Sequence, residues 1–218
     1  MSDNTLPPTP KEFWSDVWKE GVIRFHQKDY NQAMVHFFRD IDLKNKTVLI
    51  PLAGKTNDIL FFLEKGAHVT AIEFYEGAVM AFFNENNIPF TKKDHTYSGQ
   101  NITFYAGDFF DYKNHIPFDV MYDRASQVVF NQENRPAYYA HMSTLIDKHT
   151  ILFLGAIDHQ GPHDYGPPFK ISPEEVMSAY KNMGIFLEMV SSQMNAASEK
   201  MQAVGIEEVQ TYFLSNIQ

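Results

Sequence analysis

The chain has 218 residues, room for one domain and too few for two comfortable ones. Its formal net charge of −9 works against a nucleic-acid or anionic-membrane surface, because binding to phosphates rests on an excess of Lys and Arg. It has no cysteine, which excludes a disulfide framework, thiolate catalysis and cysteine-ligated zinc or iron–sulfur centres.

Residues 1–12 open with prolines and little that packs, and a frayed tail is expected there. The opening "MSDNTLPPTPKEF" has neither the basic start nor the apolar stretch of a secretory signal. The longest apolar runs, such as "ILFLGAI" at 151–157, fall far short of the roughly 20 residues a membrane span needs. A cytoplasmic monomer without membrane or nucleic-acid partners is the expectation.

Residues 13–45 read as a helical region. "FWSDVWKEG" places Trp14, Val17, Trp18 and Gly21 at helical spacings with a glycine stop, and a second helix runs roughly from Tyr30 to Asp40. The chain then alternates. "TVLIP" (47–51) is a buried strand, "NDILFFLEKG" a helix, "HVTAIEF" (68–74) a strand and "EGAVMAFFNEN" (76–86) a helix. "NITFYAGDFF" (101–110) is a strand with its exit loop, "FDVMYDR" (118–124) a strand, and "QENRPAYYAHMSTLID" (132–147) mostly helix, disturbed early by Pro136. "TILFLGAI" (150–157) is a long buried strand. Ser172, Pro173 and Glu175 form a capping box at the start of another helix, and "IFLEMVSSQ" and "IEEVQTYFLS" close the chain as strands.

This alternation predicts a single α/β domain over 1–218, Rossmann-like, with a mostly parallel sheet covered by helices on both faces. Such sheets bind ligands beyond the carboxyl ends of their strands, so the loops after 51, 73, 107 and 123 should gather on one edge. The first of them, "PLAGKTND", has a single glycine. Gly54-Lys55-Thr56 matches the end of a phosphate-binding loop, but the first glycine of that motif would fall on Leu49, inside the strand. A dinucleotide fingerprint needs three glycines, and Gly54 has no partner at 56 or 59. S-adenosylmethionine has no phosphate, so one glycine can suffice if an acid ends the second strand to hold the ribose. Glu73 stands there. Asp108 and Phe109, after the third strand, suit an adenine: a carboxylate for its amine and an aromatic wall for its ring. Each of these residues also has an ordinary reading as a solvated strand end, a turn cap or a core aromatic.

In order and spacing, "FWSDVWKEGVIRFHQ", "PLAGKTND", "AIEF", "GDFF", "YDRAS" and "GPPF" resemble the thiopurine S-methyltransferase family over roughly Phe13 to Ser215. The resemblance implies a class I methyltransferase fold, S-adenosylmethionine as methyl donor and no metal. The acceptor it implies is a small aromatic or heterocyclic thiol, or a selenium or tellurium compound. By matching position it places cofactor contacts on Trp14, Trp18, Leu52, Gly54, Glu73, Asp108, Phe109 and Arg124. It places substrate contacts on Phe25 and Arg124, with residues 13–45 as a helical lid. Ala53 replaces a cysteine common in the family, and "ASQVVFN" is more polar than usual, with Gln127 the main intruder.

Methyl transfer from a sulfonium is an in-line displacement, served mainly by alignment and exclusion of water. A thiol acceptor must react as thiolate, and Arg124, at the exit of the fourth strand, is the candidate for stabilising it. The plain alternative is an ion pair with Asp123 or another carboxylate. Trp14 and Trp18, four apart on one helical face, either dock the first helix or offer aromatic surface near a sulfonium as well. His159 and His163 stand near Asp158 and Asp164, but Gly161-Pro162 breaks any helix that would pair them, and a solvated loop is expected. "HDYGPPF" reads as a loop over the ligand edge with Phe169 as a pocket wall, and His26, beside Phe25, reads either as a hydrogen-bonded structural histidine or as a group that tunes a substrate proton. A nicotinamide-dependent oxidoreductase and a non-catalytic S-adenosylmethionine-binding protein are the alternatives.

Overall fold

A computed structural model describes residues 10–21, 23 and 26–217. One nine-stranded sheet runs through it in the order β3-β4-β5-β2-β1-β6-β7-β9-β8. Its parallel centre comprises β1 (Thr47–Ile50), β2 (His68–Glu73), β5 (Ile102–Ala106), β6 (Val120–Arg124) and β7 (Ile151–Asp158). A hairpin of β3 (Thr91–Lys93) and β4 (Thr96–Gly99) adds antiparallel strands at one edge. At the other edge β9 (Glu208–Ser215) inserts between β7 and β8 (Glu188–Ala196), antiparallel to both.

The central strands are continuous apolar runs because both of their faces are covered. In β1 the alternation of side chains sends Val48 and Ile50 into one core and Leu49 into the other. The first core takes Met34 of α2 (Gln32–Phe37), Ile59 and Phe62 of α3 (Asp58–Glu64), and Phe82 and Phe83 of α4 (Glu76–Glu85). The second takes Tyr138 and Met142 of α5 (Arg135–Met142), and Val176 and Tyr180 of α6 (Pro173–Lys181). Ser172 caps α6 as expected, its side chain accepting from the Glu175 amide at 3.2 Å.

The secondary structure departs from the sequence expectation at several points, among them the short helix α7 (Glu199–Gln202), which was not expected. The first helix, α1, spans Pro10–Glu20 and so begins inside the segment expected to be tail. The 132–147 helix is regular only as α5, because Ser143 and Thr144 return their hydroxyls to the carbonyls of Ala140 and His141 at 2.8 and 2.7 Å. Such local bonds compete with the helical ladder. The β3–β4 hairpin was not expected at all. Its sequence, "TKKDHTYSG", is polar and exposed on β3, so no apolar alternation signals it.

Candidate active site

The carboxyl ends of the parallel strands lie on one edge, and the exit loops are tied to one another there. Ala53 N donates to Ile72 O at 2.8 Å, Gly107 N to Glu73 O at 3.0 Å, and Ser126 Oγ to Pro51 O at 3.1 Å. Leu52 and Gly54 both take positive φ, +45° and +56°, which bends the loop sharply off β1. Left-handed backbone costs an L-residue about 1–2 kcal/mol. Gly54→Ala should therefore destabilise the fold by about that amount, read as a lowered urea midpoint at unchanged slope.

Gly54 and Glu73 meet. The Gly54 amide donates to Glu73 Oε2 at 2.8 Å and the Tyr75 amide to Oε1 at 2.8 Å. Glu73 is buried, and burial pushes its carboxyl up to about 7, while the amides of Tyr75, Gly54 and Phe74 pull it back only in part. Each carboxylate oxygen has a second lone pair, so the group keeps capacity to accept from a diol.

Beside this junction lies a pocket of about 80 Å³ with apolar walls, to which Leu52, Ile72, Phe74, Phe109, Val129 and Phe130 contribute. Asp108 stands among its lining residues. Its Oδ1 accepts from the Phe110 amide at 3.0 Å, capping the short 3-10 turn Phe109–Asp111, and its other oxygen pairs with the ammonium of Lys11. Burial raises the Asp108 carboxyl, but Lys11 and the Phe110 amide more than offset it and hold it below the usual range. Phe109 is buried and stacks on Tyr138 at 5.3 Å, which fixes this wall to α5.

Helix α1 closes over the same region. Trp14 and Lys11 line the pocket, and Trp18 stacks on Tyr75 with ring centroids 5.9 Å apart and planes 6° from parallel. One helix thus touches the loop after β2 and, through Lys11, the loop after β5.

Arg124 lies on a different part of the edge. Its Nε pairs with Asp58 Oδ2 at 3.1 Å and its Nη2 donates to Thr56 Oγ1 at 3.4 Å. Asp58 is buried and also accepts from Tyr122 Oη at 2.7 Å and from the Asn31 amide at 2.8 Å. The neighbouring Asp123 points to the opposite face of β6, where it accepts from the Ser126 amide and from Tyr138 Oη at 2.7 and 2.5 Å. Strand alternation thus gives Arg124 the carboxylate on α3 instead of its sequence neighbour. Burial, then the Lys55 ammonium, hold His26 below the ordinary imidazole value, with Arg124 adding to the effect.

The family model for thiopurine S-methyltransferase (TPMT) matches residues 9–215. The chain belongs to the thiopurine S-methyltransferase family. It is an S-adenosylmethionine-dependent methyltransferase. Among named relatives, the thiopurine S-methyltransferase of Legionella pneumophila (strain Paris) is 29% identical over 211 residues, covering 92% of this chain and 94% of that one. That of Nitrosospira multiformis is 30% identical over 207 residues, with the same coverage. The fold is shared with the Synechocystis magnesium protoporphyrin IX methyltransferase with bound S-adenosylmethionine, at TM-score 0.64, 12% identity, and 97% and 99% coverage of the two chains. It is shared too with the Burkholderia thailandensis 1,6-didemethyltoxoflavin-N1-methyltransferase, at TM-score 0.61, 17% identity, and 96% and 92% coverage.

Of the positions singled out in the sequence of this methyltransferase, Trp14, Leu52, Asp108 and Phe109 line one pocket. Gly54 and Glu73 are bonded at its margin, Trp18 rests on Tyr75, Arg124 is held by α3, and Phe25 lies outside the described residues. The residue types fit an adenosine: an apolar slot for the base, a carboxylate at its rim and a second carboxylate set by the glycine loop. Sequence reasoning missed Lys11, Ile72, Phe74, Gly107, Phe110, Val129 and Phe130 in the lining and Asp58 beneath Arg124. Ile72 and Phe74 lie within "AIEF", Gly107 and Phe110 within "GDFF" and Val129-Phe130 within "ASQVVFN", so those stretches held the available signal. Gln127 is fully buried and accepts from Tyr139 Oη at 3.1 Å, so the polarity of "ASQVVFN" serves α5 while its apolar members reach the pocket.

Phe169 is not among the pocket's lining residues, and its amide donates to Val128 O at 2.7 Å. His159, expected on a solvated loop, is buried, with Nδ1 accepting from the Gly161 amide at 3.1 Å. Lys170 clamps the same loop through the carbonyls of His159 and Gly161 at 3.1 and 2.8 Å. Among the described residues no group of three or more His, Asp or Glu is arranged to hold a metal, and no helix is long and apolar enough to cross a membrane.

Proposed function

We propose that the enzyme methylates the sulfur, or a selenium or tellurium atom in its place, of a small aromatic or heterocyclic acceptor. The observation that carries the donor half is the meeting of Trp14, Leu52, Asp108 and Phe109 in one pocket beside the Gly54–Glu73 junction. The sulfur acceptor is carried by the family and by its named thiopurine S-methyltransferases. In this reading Asp108 accepts from the adenine amine, Phe109 walls the ring, and Glu73 accepts from the ribose hydroxyls. Bound S-adenosylmethionine supplies an electrophilic methyl on a sulfonium. The chain aligns the acceptor, keeps water out and, through the Arg124 guanidinium, favours the thiolate over the thiol. His26, whose imidazole burial and the Lys55 ammonium hold below its ordinary value, is the next group to test as acceptor of the proton. The whole chain acts as one domain, with residues 13–45 as its lid, in the cytoplasm.

Calorimetric titration with S-adenosylhomocysteine and with NAD tests the donor assignment. A panel of thiols, selenols and tellurium compounds tests the acceptor. Binding of S-adenosylhomocysteine without turnover on any of them would instead favour a non-catalytic binding protein.

The lid has its own expected result. Saturating S-adenosylhomocysteine should slow amide exchange across residues 14–21 and shift tryptophan emission, since Trp14 and Trp18 are the only tryptophans. If neither signal responds, α1 is a structural dock.

A further inference from the structure

Helix α1 brings a charge to the rim of the donor pocket. Among the described residues that line this pocket, only Lys11 and Asp108 are charged, and the two are paired. The pair joins positions 97 apart, so it forms only where α1 lies over the loop after β5.

Neither group is used up by the other. An ammonium has three N–H donors and each carboxylate oxygen two lone pairs, so one bond between them leaves capacity on both sides. Asp108 Oδ1 accepts from the Phe110 amide at 3.0 Å. Against the burial that raises it, Lys11 and that amide hold the carboxyl below its usual range, so it stays ionised and acts only as an acceptor. The Lys11 side chain is 60% exposed, which leaves its remaining donors open to a ligand entering the pocket.

Adenine presents the matching edge. Its amine is a donor flanked by the ring acceptors N1 and N7. An acceptor for the amine with a donor standing beside it therefore reads the base at two atoms. We infer that Lys11 is a specificity-determining residue of the donor site, donating to a ring nitrogen of the adenine whose amine Asp108 accepts. This rests on the reading of the pocket as the S-adenosylmethionine site. Helix α1 then recognises the base as well as covering it.

The test is calorimetric titration of wild type and Lys11→Met with S-adenosylhomocysteine and with its two analogues that carry carbon in place of N1 and of N7. Wild type should bind one of the analogues at least about fivefold more weakly than S-adenosylhomocysteine, the scale of one hydrogen bond. Lys11→Met should bind S-adenosylhomocysteine more weakly than wild type and lose that gap. Loosening of α1 alone would weaken all three ligands by a common factor, so the ratio isolates the contact with the base. Methionine is a good helix former and the site is exposed, so circular dichroism should stay unchanged. If Lys11→Met keeps the wild-type gaps, or wild type binds all three ligands alike, the inference is overturned while the donor site stands. A wild type that fails to bind S-adenosylhomocysteine removes the donor site and the inference together.

Discussion

Glu73→Ala should weaken S-adenosylhomocysteine binding by about ten- to a hundredfold, since a hydrogen bond to a charged group contributes about 1.5–3 kcal/mol. The same substitution releases the amides of Gly54 and Tyr75, so the loss comes from the ribose contact and from the loop that frames it. A folded Glu73→Ala protein with unchanged affinity would remove the ribose assignment. The burial that lifts this carboxyl to about 7 adds a pH signature. Affinity for S-adenosylhomocysteine should drop as pH falls through about 7, because the protonated acid accepts less well, and Glu73→Gln should flatten the profile.

Stability runs the other way. Glu73 binds a proton in the folded chain that the unfolded chain, titrating near about 4.3, has already lost. Its contribution is therefore fully present below about 4.3 and declines as pH rises toward about 7. Urea midpoints of wild type and Glu73→Gln, compared across that window, measure the difference.

Arg124→Lys should lower turnover by about a hundredfold or more for acceptors whose thiol pKa lies above the assay pH, the scale of removing one donor that stabilises developing charge. Lysine keeps the charge but loses the planar fork that bonds Asp58 and Thr56 at once. Acceptors already ionised in water need less help and should lose less. Rates are compared at saturating donor, because the position is assigned to both ligands. Equal losses for low-pKa and high-pKa thiols would mean that Arg124 only positions ligands, and His26 would then be the residue to change.

The sheet was legible because its central strands must be apolar on both faces, and runs such as "TVLI" and "ILFLGAI" can satisfy nothing else. The strand-end acids were legible for a related reason. In a parallel α/β sheet, chain order alone decides which strand ends share an edge, so Gly54, Glu73 and Asp108 could be placed on one edge from the sequence.

What the sequence could not decide are contacts between segments far apart in the chain. Lys11 reaches Asp108 across 97 positions and Arg124 reaches Thr56 across 68, and no local period carries such information. The sequence offered an ion pair with Asp123 or another carboxylate for Arg124, without deciding which. The alternation of β6 turned Asp123 to Ser126 and Tyr138 and left the place to Asp58, which α3 delivers after Gly54 turns the chain. The choice of the two outermost strands is of the same kind. "TKK" and "EMVSSQMNA" are both plain sequence, but that each ends at the side of the sheet follows from β9 inserting beside β7 and from the β3–β4 hairpin folding onto β5. Local composition determined what each strand could bury. Only the pairing of distant strands determined what it left open.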